Sequence, residues 1–349
     1  MPIDTAPVYA LAPLRISFVG GGTDFPHWYR EHGGAVLSTT IDHVVRVTVT
    51  PRADREVRVR SLDLGHLVRY RLDDGPQYDG IMDLAKAAID RMRIDVGLDV
   101  DIESEAPAGS GLGGSSALVT AVVAALACLD ERPMTCEEMA RTSYVIERED
   151  LRIAGGWQDQ YAAAFGGFNL IEFGRDGARV QAVDAGPDAL EELRKHLLLC
   201  YTGTVRRNVG LIDRQIAMVE AGREDTLLGM KQLREMAYAM RDAIEAGDMR
   251  RLGAMLRDAF EAKRRMNPHI AEGTPIEAML DAAARAGATG GKICGAGGGG
   301  YLLIATPPEA RASVRHALES MGGQFAPFQV DPHGARARRG DRHWAPVRG

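Results

Sequence analysis

The chain has 349 residues, of which 45% are hydrophobic and 26% are charged. This length corresponds to about two domains and can bury a substantial core, which excludes a small disulfide-stabilised scaffold. With 42 basic and 48 acidic side chains the formal net charge is −6, which argues against nucleic acid or an anionic membrane as the main partner.

The cysteine pattern and the apolar runs predict a cytoplasmic protein. Cys128, Cys136, Cys200 and Cys294 show neither a CxxC pair nor a zinc-site spacing, so we expect reduced thiols. The N-terminal segment has an early acidic residue and no apolar core of a signal peptide. The longest apolar run, residues 117–129, is too short to cross a bilayer.

The first part of the chain mixes strands and helices. Alternation and β-branched runs predict strands over residues 14–19, 36–50, 56–60, 68–72 and 100–104. Helices are predicted over residues 79–93 and over residues 115–129, which are apolar on nearly all sides. Thr135 opens a further helix, with Glu138 completing a capping box. Two short strands are expected after Gly166 and Gly167.

The turn-rich residues 184–188 predict a boundary between two domains, 1–188 and 189–349. The second part reads as mostly helical, over residues 209–221, 225–246, 249–265 and 275–286, with a strand pair around the glycine-rich residues 290–300. A helix follows, and then a predicted hairpin of residues 328–330 and 335–338 around the turn at 331–334. Helices and strands without a regular βαβ alternation favour an α+β fold.

A glycine-rich loop at residues 107–117, with the sequence PAGSGLGGSSA, joins a predicted strand to a predicted helix. Glycines let a ligand approach the backbone closely, and the free N–H groups at a helix start favour an anion. We therefore expect the loop to bind phosphate, with Ser115 and Ser116 available to a phosphate oxygen or Mg²⁺. The structural alternative is a tight turn with a serine cap.

The same loop also matches a second, weaker pattern. Gly109, Gly111 and Gly114 fit GxGxxG, with Asp130 downstream, which would indicate a dinucleotide-binding fold. That alternative leaves the two serines and the missing βαβ series unexplained. A Walker A loop is excluded because Gly291-Lys292 is followed by isoleucine.

Three further segments combine polar side chains with glycine turns. Residues 13–24 run from a strand carrying Arg15 into a turn that ends in Asp24, where a carboxylate can accept hydrogen bonds from a polyol. Residues 147–160 supply Glu147 and Asp159, and phosphoryl transfer to an alcohol needs one carboxylate for Mg²⁺ and one near the reacting hydroxyl. Residues 290–300 form a second glycine-rich loop that could close over a phosphate. Singly, each segment is also compatible with an ordinary turn, a solvated charge or a flexible hairpin.

In this order and spacing, the four segments resemble the galactokinase–homoserine kinase–mevalonate kinase–phosphomevalonate kinase (GHMP) superfamily across nearly the whole chain. The family loop PxxxGLGSSA corresponds to residues 107–117, and an ungapped match places Gly114 at the family's first serine and Ser115 at its Mg²⁺-binding serine. This one-residue departure leaves the Mg²⁺-binding serine open between Ser115 and Ser116. Glu147 matches the helix glutamate that binds Mg²⁺ in the family. Asp159 matches the aspartate of the GxxDQ signature, and Arg15 matches a cation beside it.

Within the superfamily, the motifs GGGTD, GGWQDQ, YTGTVR and GATGGKICGAGGGGY are most similar to those of the D-glycero-D-manno-heptose 7-phosphate kinases and of fucokinase. Asp24 matches an aspartate that holds sugar hydroxyls, whereas glycines replace the Glu-His of galactokinases, so galactose is not expected. The resemblance implies an N-terminal α/β domain, a C-terminal ferredoxin-like α+β domain, and ATP and sugar in the cleft between them. It also implies phosphorylation of the anomeric hydroxyl of a small-molecule sugar phosphate.

The resemblance also implies a set of site residues. Asp159 and Arg15 are expected to be catalytic, and Ser115 with Glu147 to bind Mg²⁺. The residues expected to bind ATP are Pro107, Gly109, Ser110, Gly111, Leu112, Gly113, Gly114, Ser115 and Ser116. Those expected to bind the sugar are Gly21, Gly22, Thr23, Asp24, Gln158, Arg206, Gly297 and Gly298.

The substrate itself stays open between a few alternatives at this point. A sugar phosphate needs a cationic pocket, for which Arg206, Arg207 and Lys263 are candidates, with solvated surface charges as the alternative. A kinase for an unphosphorylated sugar such as fucose would lack that pocket. A catalytically silent sugar-binding regulator would lack Asp159, Glu147 or Ser115, and all three are present.

Overall fold

The computed structural model describes residues 5–204 and 210–346. The strands are β1 (Val8–Val19), β2 (Gly34–Arg52), β3 (Glu56–Ser61), β4 (Leu67–Arg71), β5 (Gly97–Ser104), β6 (Phe168–Gly174), β7 (Gly177–Ala182), β8 (Leu197–Tyr201), β9 (Gly290–Ile293), β10 (Tyr301–Ala305), β11 (Gln324–Ala326), β12 (Arg336–Arg339) and β13 (Ala345–Pro346). The helices are α1 (Pro26–His32), α2 (Asp83–Met92), α3 (Gly114–Leu129), α4 (Cys136–Val145), α5 (Gln158–Phe165), α6 (Pro187–His196), α7 (Leu211–Glu220), α8 (Glu224–Glu245), α9 (Met249–Met266), α10 (Ile276–Arg285) and α11 (Arg311–Glu319). A π-helical turn, Ile146–Asp150, follows α4 directly.

The larger sheet has nine strands within the described residues. Its main path runs β13-β12-β1-β2-β5-β3-β4, and β6 pairs with both β2 and β7. All of these pairings are antiparallel in the described residues except β3 with β5. The dinucleotide-binding alternative is therefore wrong, because that fold needs a mostly parallel sheet.

Helix α3 is the central helix of the first part. It packs on β1 and β2 and is covered by α2, α4 and α5. A helix enclosed on all sides has no solvent face to supply with polar residues, which explains the apolar sequence from which it was predicted. The capping box of α4 is also confirmed: the Thr135 hydroxyl accepts from the Glu138 N–H, and the Glu138 carboxylate accepts from the Thr135 N–H.

The second sheet has the strand order β11-β8-β10-β9, with all pairings antiparallel among the described residues. With helices α7–α10 between its first two strands in sequence and α11 before its last, it has ferredoxin-like connectivity. The α+β fold and the ferredoxin-like second part are confirmed. None of the described helices combines the length and apolar character needed to cross a bilayer.

The last strands of the chain return to the larger sheet. Arg336–Arg339 pairs with Val8–Leu11 of β1, and Val330 makes an isolated bridge with Ile41. The predicted hairpin of residues 328–330 and 335–338 is therefore wrong. Its backbone groups are satisfied elsewhere, since Asp331 N donates to the Thr40 carbonyl and Ala335 N donates to the Ala163 carbonyl. The boundary at residue 188 stays a prediction.

Helix α2 begins at Asp83, later than predicted, because the preceding residues form a tethered loop. Met82 has a left-handed backbone conformation with φ of 57°. The fully buried Lys86 side chain donates to the Gln77 carbonyl at 2.5 Å and to Asp79 Oδ1 at 2.7 Å. These bonds hold residues 77–82 against the first turn of the helix instead of continuing it.

Candidate active site

A cavity of about 720 Å³ lies where the two sheets meet. Its wall includes Arg15 and Ser17 of β1 and most of the loop at 107–116. It also includes Glu147 of the π-helical turn and Asp159 of α5. The second part of the chain contributes Ile212, Gln215, Lys263, Met266, Gly295 and Ala296. Four segments identified by sequence thus contribute to one cavity.

The two glycine-rich loops pack directly against each other. A Cβ atom on Gly111 would lie 2.7 Å from the Cys294 carbonyl oxygen, and one on Gly295 would lie 2.7 Å from the Gly111 Cα. Both residues have positive φ, of 81° and 65°. Glycine is required at both positions for space and for backbone conformation. The contact leaves bare backbone facing the cavity, which suits a phosphate.

Arg15 and Asp159 form the central ion pair of the site. Arg15 is 3% exposed, and its Nε and Nη2 lie 2.8 and 2.7 Å from Asp159 Oδ1. Its Nη1 donates to the Gly111 carbonyl at 2.6 Å, and its backbone N donates to the Leu112 carbonyl. One guanidinium therefore connects the carboxylate in the first turn of α5 to the glycine-rich loop at residues 107–117.

Glu147 is a buried carboxylate in the π-helical turn after α4. It accepts hydrogen bonds from the Ser116 hydroxyl and from Gln160 Nε2 at 3.1 Å, and Arg148 Nη1 lies 3.2 Å from its Oε2. Burial raises the pKa of Glu147, and the charge of Arg148 and the Ser116 hydrogen bond oppose that shift. Ser116 is buried beside this carboxylate, whereas Ser115 is exposed on the cavity wall.

Asp24 is fully buried at the end of the first glycine turn. Its Oδ1 accepts from Gly22 N at 2.9 Å, and its Oδ2 accepts from Gln158 N at 3.0 Å. Burial raises the pKa of Asp24, and the Gln158 N–H works against the shift. A Cβ on Gly156 would lie 1.9 Å from Asp24 Oδ2, so only glycine fits there.

Several expected sugar and nucleotide residues lie behind the cavity wall. The Thr23 hydroxyl donates to the Gly20 carbonyl at 2.7 Å, which makes it a turn-stabilising group. Leu112 is buried in the core, and Gly297 and Gly298 pack on Ile270, whose carbonyl accepts from Gly298 N. These four residues shape the loops and are not among the described residues that line the cavity.

The other expected residues divide into two groups. Pro107, Gly109, Ser110, Gly111, Gly113, Gly114, Ser115, Ser116, Gly21, Gly22, Gln158 and Lys263 line the cavity. The Gln158 Oε1 is buried with no hydrogen-bond partner among the described residues. Arg206 and Arg207 lie outside the described residues.

Sequence reasoning missed three polar groups around the site. Gln160 and Arg148 hold Glu147, and both stand in the segment from which Glu147 and Asp159 were chosen. Lys292 is buried, and its Nζ donates to the Ser17 carbonyl at 2.7 Å, which connects β9 to β1. Its position beside the second glycine loop was the available signal.

Comparison with known proteins identifies the family. The model described as GHMP kinases N terminal domain matches residues 81–167, and the one described as GHMP kinases C terminal matches residues 240–324. A D-glycero-alpha-D-manno-heptose 7-phosphate kinase of Campylobacter jejuni is 31% identical, over 94% of this chain and 97% of that protein. This chain is a GHMP kinase.

Two other similarities fit this assignment. The crystal structure of a D-glycero-D-manno-heptose 1-phosphate kinase from Bacteroides thetaiotaomicron superposes on this GHMP kinase with a TM-score of 0.78 at 28% identity, covering 95% of this chain and 99% of that one. An L-fucokinase/L-fucose-1-P guanylyltransferase of Bacteroides fragilis is 28% identical over 89% of this chain and 36% of that longer protein. This GHMP kinase is a sugar kinase, a phosphotransferase with an alcohol acceptor, and ATP is the phosphate donor of its family.

The residues present fit a nucleotide with a divalent cation. The glycine cradle has no room for a Cβ at Gly111 and has a left-handed backbone at Gly113, with φ of 76°, and a buried carboxylate and hydroxyl stand beside it. Within the described residues no three His, Cys, Asp or Glu side chains form a metal-binding group. With a nucleotide, Mg²⁺ is usually bound by one or two carboxylates together with phosphate oxygens and water, and Glu147 would be such a carboxylate here.

Proposed function

We propose that this kinase transfers the γ-phosphoryl group of ATP to the anomeric hydroxyl of D-glycero-D-manno-heptose 7-phosphate, giving the 1,7-bisphosphate. The observation that carries the reaction type is the Arg15–Asp159 pair in contact with the Gly111 carbonyl of the phosphate-binding loop. The heptose substrate is supported by the full-length similarity to a heptose 7-phosphate kinase.

In the proposed reaction the anomeric oxygen attacks the γ-phosphorus, and the bond from that phosphorus to the bridging β–γ oxygen breaks. The electron pair stays on the departing ADP oxygen, and the Asp159 carboxylate accepts the proton of the sugar hydroxyl. The Arg15 guanidinium stabilises charge on the transferring group. Glu147 with Ser116 or Ser115 would hold Mg²⁺, which offsets negative charge on the β- and γ-phosphates. Asp24 and Gln158 orient the sugar.

A second candidate substrate is an unphosphorylated sugar such as fucose. The similarity to the fucokinase of Bacteroides fragilis over most of this chain favours it. The experiment is a panel of sugars with and without a terminal phosphate, scored by ADP release. Turnover of heptose 7-phosphate with loss of activity on unphosphorylated heptose supports the proposal, whereas preference for fucose supports the alternative.

The proton-accepting role is tested by Asp159→Asn. We expect kcat to fall by about 10²–10⁴-fold, because an amide keeps the shape but cannot accept the proton. Asp188→Asn is the matched control, since Asp188 also lies in the first turn of a helix, α6, but is exposed. Near-wild-type turnover of Asp159→Asn would contradict the role of the carboxylate.

A further inference from the structure

Lys263 is a buried cation that the second part of the chain delivers to the cavity. It lies in the last turn of α9, is 6% exposed, and forms part of the cavity wall. Lysine is rarely buried to this extent without a specific task, because its ammonium loses hydration. The sequence suggested a role toward the terminal phosphate of the sugar.

The contacts of Lys263 indicate a role toward the phosphates of the nucleotide and not toward the phosphate of the sugar. Its Nζ donates a hydrogen bond to the Gly295 carbonyl. Gly295 packs on Gly111, and the Gly111 carbonyl accepts from Arg15 Nη1. The lysine and the arginine are therefore anchored to two loops in mutual contact, one from each part of the molecule.

Three cations lie near this junction, together with the Asp159 carboxylate. Arg15, Lys263 and Lys292 all act electrostatically on the buried Cys294 thiol, each opposing the rise in its pKa that burial causes. Three cations thus surround the place where the loops meet, and Arg15 pairs there with Asp159. Such a concentration of positive charge on bare backbone suits a group that carries several negative oxygens.

We propose that Lys263 binds the γ-phosphoryl group of ATP and stabilises it during transfer, as a second cation opposite Arg15. This inference deepens the proposed function and rests on it for the reaction. While the γ-phosphorus exchanges its bond to the ADP oxygen for one to the sugar oxygen, the ammonium of Lys263 keeps its protons and donates a hydrogen bond to a non-bridging oxygen. The proton from the sugar still goes to Asp159.

The test compares nucleotide binding by the whole protein with Mg²⁺. Calorimetry gives the Kd of ADP and of a non-hydrolysable ATP analogue for the wild type, Lys263→Met and Lys263→Arg. The control is Lys231→Met, because Lys231 is an exposed lysine on α8. Lys263→Met should weaken the analogue relative to ADP by about 10-fold, the worth of one charge-assisted hydrogen bond. Lys263→Arg should retain most of the wild-type ratio between the Kd of ADP and the Kd of the analogue. Lys231→Met should retain the full ratio.

The ratio of the two dissociation constants separates the possible roles. A purely structural lysine would weaken both nucleotides equally and leave the ratio unchanged, which would overturn the proposal. If Lys263 binds the terminal phosphate of the sugar, Lys263→Met should leave the Kd of both nucleotides unchanged and weaken the binding of heptose 7-phosphate. That result would also overturn the proposal. The ratio of the two nucleotide dissociation constants is measured without any sugar. A wild-type protein that is inactive on every sugar would therefore contradict the proposed function and leave the result for Lys263 unaffected.

Discussion

At the scale of single residues, the Asp159 and Glu147 carboxylates near the glycine-rich loop at residues 107–117 have different surroundings. Asp159 is 24% exposed at its side chain and pairs with Arg15, whereas Glu147 is 1% exposed and is held by hydrogen bonds from Ser116 and Gln160. A carboxylate open to the cavity can exchange a proton with a substrate. An enclosed one with fixed orientation is suited to bind a cation.

The contact between Ser116 and Glu147 predicts which serine assists metal binding. Ser116→Ala removes the hydroxyl beside the buried carboxylate, so we expect the Mg²⁺ concentration for half-maximal rate to rise by about 10-fold, as for the loss of other groups that orient a metal ligand. Ser115→Ala is the control and should leave that concentration within about twofold, because Ser115 is exposed on the wall. A larger rise of that Mg²⁺ concentration in Ser115→Ala than in Ser116→Ala would assign the metal-binding role to Ser115.

At the scale of elements, the short segment between the π-helical turn and α5 fixes two parts of the site at once. Its Gly155 lies under the Arg148 side chain, which donates to the Gly156 carbonyl. Its Gly156 lies under the Asp24 carboxylate, and Trp157 alone separates it from Gln158 and Asp159. Small residues here allow the turn that carries Asp24 and the helix that carries Asp159 to approach each other.

This close approach predicts a strong effect of Gly156→Ala. The added Cβ would lie 1.9 Å from Asp24 Oδ2 and 2.7 Å from the Phe25 ring, so the turn must move away. We expect a loss of about 1–3 kcal/mol of stability from overpacking. The KM for the sugar should rise, while the Kd of ADP stays unchanged. Gly174→Ala, at an open position, is the control for thermal unfolding and kinetics. An unchanged KM would show that Asp24 does not orient the sugar.

At the scale of the whole molecule, the two sheets share a buried hydrogen bond as well as the cavity. Lys292 of β9 donates to the Ser17 carbonyl of β1, two residues from Arg15. Burial lowers the pKa of Lys292 to about 8, and the nearby charge of Arg15 adds to that effect. The junction of the sheets therefore contains a cation that is costly to keep charged.

The lowered pKa predicts how stability depends on pH. Between pH 8 and 10.5 the unfolded chain binds a proton at Lys292 that the folded protein has released, so folding becomes more favourable as pH rises. Across this range the wild type should gain up to about 3 kcal/mol of unfolding free energy relative to Lys292→Met. Urea unfolding at several pH values measures the difference. Lys231→Met should show the same pH dependence of the unfolding free energy as the wild type. If the curve of Lys292→Met is parallel to that of the wild type, the lowered pKa of Lys292 is contradicted.

The parts of the molecule that could be predicted from sequence are those with local signals. The apolar run of α3, the cap at Thr135 and the glycine loops have patterns that arise within a few residues. The hairpin prediction was wrong because Asp331 and Ala335 bond to distant backbone groups, which no local turn signal reveals. Likewise, nothing near Thr23 in the sequence indicates that its hydroxyl is used within its own turn.

The return of β12 to β1 has a consequence for how the kinase can be divided. The second sheet is an insertion between β7 and β12. Strand β12 is separated from its partner β1 by more than 300 residues, as the pairing of Val8 with Arg339 illustrates. A fragment ending at residue 188 would leave an edge of β1 unpaired, and unpaired edges promote aggregation. During synthesis, the strand that carries Arg15 must therefore wait for nearly the entire chain before its second neighbour is available.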